Sequence, residues 1–228
     1  MGVPPGSDGT AAPAGMPLLA YGATLRVCCV GAGPVAERKL AGLLDVGASV
    51  VVVAPEATDE LARAAADGRV TWHRRPYAPG DLGDAHLVIA ATGDAAVNAA
   101  VAADADADGR LCVRVDDGTA GTAAMMGAVH RPPLVLGVAT TVGAPALSRQ
   151  VRAELARRYG PEHGQLASLV AELRADARVV AALAELDAGQ RRARWRGAMG
   201  PDILALIRAG QIDQAKEAAY ACLLSSSD

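Results

Sequence analysis

One short stretch near the start of the chain constrains the fold more than any other. Residues 25–30 read Leu-Arg-Val-Cys-Cys-Val, a mostly apolar run typical of a buried strand, and lead directly into Gly31-x-Gly33-x-x-Ala36 and a helical pattern. The first glycine permits a tight turn, the second lets a pyrophosphate approach the backbone, and the small Ala36 lets the helix pack on the strand. The N–H groups of the helix start then face the anion. The motif predicts a dinucleotide site, with a plain glycine-rich turn as the alternative.

The residues that follow alternate between strand and helix patterns. Five short apolar or β-branched runs predict strands at residues 25–30, 49–54, 70–74, 86–91 and 111–115. Helical segments are predicted between them at residues 35–46, 58–66 and 95–103. A repeated strand–helix–strand series predicts the α/β class, with a Rossmann-like, doubly wound parallel sheet.

The pattern changes after residue 115. Gly and Thr dominate residues 118–122, and Arg-Pro-Pro at 131–133 interrupts the chain before one more predicted strand at 134–139. Helices are predicted at 146–159, 165–186, 190–199 and 201–220. The division is a disordered tail at 1–15, a nucleotide-binding domain at 16–115, a middle segment at 116–150 and a helical C-terminal domain at 151–228.

Charge and cysteine content exclude several classes of partner. The net charge of −3 argues against a nucleic-acid partner, and no apolar stretch is long enough to predict a membrane span. Residues 1–15 lack the basic start and apolar centre of a signal peptide. Cys28, Cys29 and Cys112 lie in predicted strands, and the four cysteines show no metal-ligand spacing. We therefore expect a cytoplasmic protein with reduced core cysteines and no metal site.

Acidic and polar residues follow the ends of the second and fourth predicted strands. Pro55 and Glu56 come after the second strand, where an acidic residue can bind the adenosine ribose, although Glu56 could instead favour the start of the next helix. Thr92 and Asp94 come after the fourth strand and are predicted to line the cofactor crevice. The alternative for Asp94 is a helix N-cap.

Two aspartates follow the fifth predicted strand. Asp116 and Asp117 come directly after that strand, and a carboxylate at this edge would face the crevice where a nicotinamide lies. Paired acids can raise one another's pKa, which would leave one of them able to take a proton near neutrality. The alternative is a turn, because Asp-Gly is a common turn pair.

Several of these motifs together resemble one known family. Residues 29–39 read Cys-Val-Gly-Ala-Gly-Pro-Val-Ala-Glu-Arg-Lys and resemble the opening of the precorrin-2 dehydrogenase/sirohydrochlorin ferrochelatase family, which includes the N-terminal half of siroheme synthase. Similar resemblances are found in the Val-Val-Val-Ala-Pro-Glu, Ile-Ala-Ala-Thr-Gly-Asp and Val-Asp-Asp segments and in the helix start near 143–149.

The resemblance implies an activity and a set of site residues. Family members oxidise precorrin-2 to sirohydrochlorin with NAD⁺, and some then insert Fe²⁺ to give siroheme. It implies that Asp116 is the catalytic carboxylate, and that Pro34, Val35, Pro55 and Glu56 contact NAD. It also implies a homodimer, so that segment 116–150 would serve dimerisation and substrate binding.

The side expected to bind the tetrapyrrole departs from the family pattern. Val113, Met126 and Val142 stand where the family usually has Asn, part of a Phe-x-x-Pro motif and a glycine. A substrate with many carboxylates needs cationic clamps. The candidates for substrate contacts are Arg114, Arg131, Arg149, Arg152 and Thr140, with His130 as a possible ligand or proton donor. Two alternatives stay open: a related enzyme with another substrate, and an NAD-binding sensor without catalysis.

Overall fold

A computed structural model describes residues 14–225, so nearly all of the predicted N-terminal tail lies outside the described residues. The chain forms two compact units. Among the described residues, the first unit contains residues 14–126 together with Ala139–Ala144, and the second contains Gly127–Val138 and residues 145–225.

A five-stranded parallel sheet organises the first unit. Its strands are β1 (Arg26–Val30), β2 (Ser49–Val53), β3 (Thr71–His73), β4 (Leu87–Ala90) and β5 (Leu111–Arg114). Their order is β3-β2-β1-β4-β5, and every neighbouring pair is parallel. The connecting helices are α1 (Pro34–Asp45), α2 (Asp59–Ala66) and α3 (Ala95–Ala107). The predicted doubly wound sheet is confirmed, and strand order reverses between β1 and β4.

The central strands are buried on both faces because successive side chains point to opposite sides of the sheet. Val27 and Cys29 of β1 belong to the core cluster that includes Leu40 of α1, whereas Cys28 of β1 belongs to the cluster that includes Val101 of α3. The three cysteines expected in strands are buried and unpaired. Burial raises the pKa of the Cys28 thiol to about 11, so this thiol stays protonated.

A β-hairpin and helices form the second unit. Strands β6 (Gly127–Arg131) and β7 (Leu134–Val138) pair antiparallel, and helix α4 (Pro145–Arg158) packs on them. The predicted strand at 134–139 is confirmed, whereas β6 was missed. Of residues 131–133, interpreted as an interruption, Arg131 ends β6, and the two prolines connect the strands of the hairpin. Strand β6 begins Gly-Ala and lacks a continuous apolar run, so it carries no strong strand signal.

Two long predicted helices are each divided in the structure. Helices α5 (Pro161–Ala175) and α6 (Ala177–Ala184) replace the single predicted helix, because Asp176 is extended and its carboxylate accepts a hydrogen bond from the Arg178 N–H. After α7 (Ala188–Ala198), helices α8 (Pro201–Arg208) and α9 (Ile212–Leu224) are separated at Gly210, whose φ of +74° ends the first of them.

The helices α5–α9 bury their own apolar core. Leu173, Val179, Ile203 and Leu223 are among its most buried members. Leu169, Leu173 and Leu183, which recur at helical spacing in the sequence, all belong to this core. Within residues 14–225, no helix combines the length and the apolar character that crossing a membrane requires.

Candidate functional site

The carboxyl ends of four neighbouring strands bring the predicted cofactor residues to one edge of the sheet. In open α/β sheets, ligands bind at this edge where strand order reverses, here between β1 and β4. The Gly31 N–H donates to the Val53 carbonyl at 2.9 Å, and the Ala91 N–H donates to the Val30 carbonyl at 2.8 Å. The predicted residues that follow these strand ends are Gly31, Gly33, Pro34, Val35, Ala36, Pro55, Glu56, Thr92, Asp94 and Asp116.

The two motif glycines are required for different physical reasons. Gly31 has a φ of +101°, and a Cβ there would lie 2.6 Å from the carbonyl carbon of Ala91. Gly33 has an ordinary extended backbone, and a Cβ there would meet nothing within 4 Å. Gly33 is thus not needed for packing within the protein. The open space above it is what a pyrophosphate needs to reach the backbone.

The start of helix α1 has the features of an anion site. Gly33 is its N-cap and offers no side chain to bond the first N–H groups, and Pro34 is the first helical residue. The side chain of Ala36 is fully buried in the sheet–helix core. The small residue therefore allows the close packing that the motif predicts, and the backbone donors of the first turn are available to a phosphate.

The loop after β2 is tied to the glycine motif. The Thr58 N–H donates to the Ala32 carbonyl at 3.0 Å, and the Thr58 hydroxyl caps helix α2 by accepting from the Leu61 N–H at 3.4 Å. Pro55 and Glu56 lie in this loop and are exposed. The cap of α2 is therefore Thr58, and Glu56 lies two residues before it. This placement leaves the carboxylate of Glu56 accessible to a ribose.

Asp94 performs the N-cap role that was the alternative for this residue. Its carboxylate accepts hydrogen bonds from the N–H groups of Ala96 at 2.8 Å and Val97 at 3.4 Å. The Asp94 N–H in turn donates to the Thr92 hydroxyl at 3.2 Å. Thr92 and Asp94 thus form one closed turn at the end of β4, and a role for them in the crevice wall stays a prediction.

Asn98 is a component of the site that the motif analysis did not assign. Its side chain is fully buried, and its amide oxygen accepts from the N–H of Thr92 at 3.0 Å and from the Thr92 hydroxyl at 2.8 Å. Its amide nitrogen donates to the Thr92 carbonyl at 3.2 Å. A single polar residue in a predicted helix, 95–103, whose other residues are all Ala or Val is the signal that could have identified it.

Asp116, which follows β5, is held by the arginine that ends that strand. The Arg114 guanidinium donates to both carboxylate oxygens, from Nη2 at 2.7 Å and from Nε at 3.2 Å. This bidentate pair is the main reason that the pKa of Asp116 is lowered to about 2. The expectation that paired acids would raise one pKa toward neutrality is therefore wrong: the nearest strong charge is a cation.

Asp117 belongs to the turn that follows. Its carboxylate accepts from the N–H of Thr119 at 2.9 Å and from the Thr119 hydroxyl at 2.7 Å. These bonds hold the pKa of Asp117 below its ordinary value. Of the two neighbouring acids, Asp117 performs the turn role, whereas Asp116 remains the candidate for catalysis.

The residues predicted on the substrate side have several different environments. Arg114 is already engaged with Asp116, and the Thr140 hydroxyl accepts from the Ala144 N–H at 3.2 Å. In the second unit, Arg149, Arg152 and His130 are exposed. Arg131 instead donates hydrogen bonds to the carbonyls of Tyr159 and Ala156 at the end of α4, so its guanidinium is engaged by the backbone.

Within residues 14–225, no group of three or more His, Cys, Asp or Glu side chains is placed to hold a metal ion.

Comparisons with known proteins identify relatives of this chain. Residues 22–126 match a family model described as putative NAD(P)-binding. The chain is 37% identical over 202 residues to siroheme synthase 1 of Yersinia enterocolitica, covering 89% of this chain and 42% of the relative. It is 42% identical over 166 residues to siroheme synthase of Chromobacterium violaceum, covering 73% and 35%. The chain thus spans about two-fifths of the length of these relatives.

The fold also matches a solved structure. SirC, a precorrin-2 dehydrogenase, superposes with a TM-score of 0.69 at 22% identity, covering 89% of this chain and 98% of the other. The matched region covers residues of both compact units, and the match supports the α/β architecture with a helical C-terminal part.

Proposed function

Because the chain belongs to the family formed by siroheme synthases and their dehydrogenase relatives, we propose that it oxidises precorrin-2 to sirohydrochlorin with NAD⁺. The observation that carries this proposal is the juxtaposition, at one sheet edge, of an open phosphate cradle at Gly33 and an ionised carboxylate at Asp116. The three buried, unpaired cysteines of the sheet fit a reducing compartment, and we place the protein in the cytoplasm.

The residues of the sheet edge fit a dinucleotide. Gly31 and Gly33 shape the turn, the first N–H groups of α1 would bind the pyrophosphate, and Glu56 would bind the adenosine ribose. When bound, NAD⁺ supplies the acceptor for a hydride. The protein's own contribution is to orient the dinucleotide and to place Thr92 and Asp116 beside it, at the ends of β4 and β5.

Asp116 has the charge that this oxidation needs. Each two-electron step removes one hydride and one proton from the reduced macrocycle, so positive charge develops on the macrocycle as the hydride leaves. A carboxylate with a pKa of about 2 is fully ionised at neutral pH and can stabilise that charge. The cationic macrocycle is far more acidic than the neutral one, so its proton can then pass to Asp116 and on to solvent.

Anaerobic incubation of the protein with precorrin-2 and NAD⁺ tests the function directly. We expect NADH absorbance and the sirohydrochlorin spectrum to rise together in a one-to-one ratio. Adding Fe²⁺ as a substrate afterwards tests whether this chain also forms siroheme. Tight NAD⁺ binding without any NADH formation would support the sensor alternative. NADH formation with a different reduced tetrapyrrole would support the alternative of another substrate.

Glu56 predicts a preference for NAD⁺ over NADP⁺. The exposed carboxylate would repel a 2′-phosphate and accept hydrogen bonds from a free ribose. We expect NADP⁺ to bind about tenfold or more weakly than NAD⁺, the equivalent of about 1.4 kcal/mol. The Glu56→Gln variant should reduce this difference. Calorimetric titration of both cofactors measures it, and equal affinities in the wild type would contradict the assigned role.

A homodimer is the assembly that best covers the exposed apolar surface. Helix α4 has no buried residue, and Leu147 on α4, Val135 on β7 and Val142 are exposed by 51%, 41% and 66%. A second copy that contacts segment 116–150 would shield these side chains. Light scattering at micromolar concentration should give twice the mass of the 23.0 kDa chain, and a monomeric mass would reject this assembly.

A further inference from the structure

The edge strand β3 ends in a tryptophan–arginine pair that lies outside the glycine motif. The guanidinium carbon of Arg74 lies 5.2 Å from the centroid of the Trp72 ring, within the range of a cation–π contact. Arg74 is exposed, whereas Trp72 is half-buried and packs against the core cluster that contains residues of α1 and α2. The two side chains therefore form a layered pair, with the indole on the core side and the guanidinium on the solvent side.

Trp72 is bonded to the start of the loop that carries Glu56. Its indole N–H donates to the Ala54 carbonyl at 2.9 Å. The Ala54 N–H donates to the His73 carbonyl at 3.2 Å, and the Arg75 N–H donates to the same His73 carbonyl at 2.9 Å instead of continuing the ladder to Ala54. The indole thus satisfies an acceptor that the sheet leaves unpaired, and this bond holds the ring two residues before Glu56.

The register of the strands places this pair beside the proposed ribose site. Strands β2 and β3 are parallel, with Val53 opposite His73, so Arg74 leaves β3 alongside the residue that follows β2. Glu56 comes two residues later on the β2 side and is exposed. The adenine of a dinucleotide is joined directly to the adenosine ribose. A ribose bonded by Glu56 therefore brings its base to the corner of the sheet that Arg74 occupies.

The outer side of the Arg74 guanidinium is available to a ligand. Among the described residues, no carboxylate pairs with it and no acceptor takes its N–H groups. The next residue, Arg75, differs, because its guanidinium donates to both carboxylate oxygens of Asp81 at 2.6 Å. A planar guanidinium that rests on one aromatic ring can stack a second on its other side. The negative charge of Glu56 at the same corner favours a neutral base there over a phosphate.

We propose that Trp72 and Arg74 form an adenine platform, on which the base of NAD⁺ stacks against the outer side of the Arg74 guanidinium. The inference rests on the proposed function for the identity of the cofactor, and it is independent of the substrate that is oxidised. It gives β3 a part in cofactor binding, beside the glycine motif after β1 and the acidic loop after β2.

Tryptophan fluorescence measures contact with the adenine platform, because the chain has two tryptophans and Trp195 lies in the second unit. In Trp195→Phe, Trp72 is the single emitter. AMP and ADP-ribose, which contain adenine but no nicotinamide, should change its emission, whereas nicotinamide mononucleotide should not. Calorimetric titration of the chain with AMP measures the same binding without this substitution, and it decides alone if Trp195→Phe does not fold.

Three arginine variants test the stacking itself. Arg74→Met should weaken the binding of AMP and of NAD⁺ about five- to tenfold, as expected for loss of a cation–π stack. Arg74→Lys should weaken it nearly as much, because an ammonium group has no flat face. Arg69→Met is the control: Arg69 is exposed, precedes β3 at its other end and removes the same charge, so its AMP affinity should equal that of the wild type.

The outcomes distinguish this inference from the proposed function. Unchanged AMP affinity in Arg74→Met, or wild-type affinity in Arg74→Lys, would overturn the adenine platform. If Arg74→Met weakens NADP⁺ alone and leaves AMP unchanged, Arg74 serves a 2′-phosphate and the inference is wrong. A wild-type protein that binds AMP with a change in Trp72 emission but fails to oxidise precorrin-2 would overturn the proposed function and support the platform.

Discussion

A Gly33→Val variant is expected to fold like the wild type and to lose NAD⁺ binding by about a hundredfold or more, equivalent to about 2.8 kcal/mol. The backbone of Gly33 has a φ of −80° and a ψ of −177°, which any residue adopts, and no atom lies within 4 Å of a Cβ at this position. The valine methyl groups would therefore occupy the space that the pyrophosphate needs. Calorimetric titration measures the NAD⁺ affinity of the variant, and thermal melting shows whether it folds like the wild type.

Two other glycines provide matched controls. Gly42 lies on α1, is exposed and also has open space around a Cβ, so Gly42→Val should fold and bind NAD⁺ normally. Gly31→Val, by contrast, should lower the stability of the fold itself. Its φ of +101° costs roughly 1–3 kcal/mol for a residue with a side chain, and the side chain would collide with the Ala91 backbone. Normal NAD⁺ affinity in folded Gly33→Val would refute the proposed cofactor site.

An Asp116→Asn variant is expected to lose about a hundred- to ten-thousandfold in kcat while its NAD⁺ affinity stays nearly unchanged. The amide retains the shape of the carboxylate and an oxygen for Arg114, but it has neither the negative charge nor a place for the proton. Single-turnover oxidation of precorrin-2, followed at the NADH absorbance, measures the loss.

The neighbouring acid is the control for this result. Asp117→Asn retains an oxygen that can accept from the Thr119 N–H, so the turn should persist and kcat should change little. Equal losses in the two variants would argue against the assignment of Asp116, and full activity of Asp116→Asn would exclude the carboxylate from the reaction. Because Arg114 keeps the pKa of Asp116 at about 2, loss of activity through its protonation should begin only in strong acid.

Much of the first unit could be predicted from local patterns. A buried parallel strand is a continuous apolar run, and a helix that packs on it has helical apolar spacing, so strands β1 to β5 and their helices are visible in the sequence. Gly31 and Gly33 follow the same logic, because their roles depend on the backbone within a few residues. The carboxyl-end rule then brings Glu56, Thr92 and Asp116 to one edge.

The second unit was less predictable because its signals are weaker. Strand β6 pairs with a single neighbour and is half-exposed, so no apolar run identifies it. The break between α5 and α6 depends on Asp176, whose carboxylate is held by the Tyr220 hydroxyl at 2.6 Å and by Arg178. A contact with a residue 44 positions away cannot be inferred from helical periodicity.

By itself, the sequence determined the class of sheet, the position of the glycine turn after β1 and the acidic residues at the strand ends, because each of these follows from short-range backbone geometry. Only the tertiary structure decided how those residues are paired. It placed Arg114 against Asp116, which reversed the direction of the expected pKa shift, and it placed the buried amide of Asn98 against Thr92. Side-chain charge and hydrogen bonding depend on neighbours in space, and the fold supplies those neighbours.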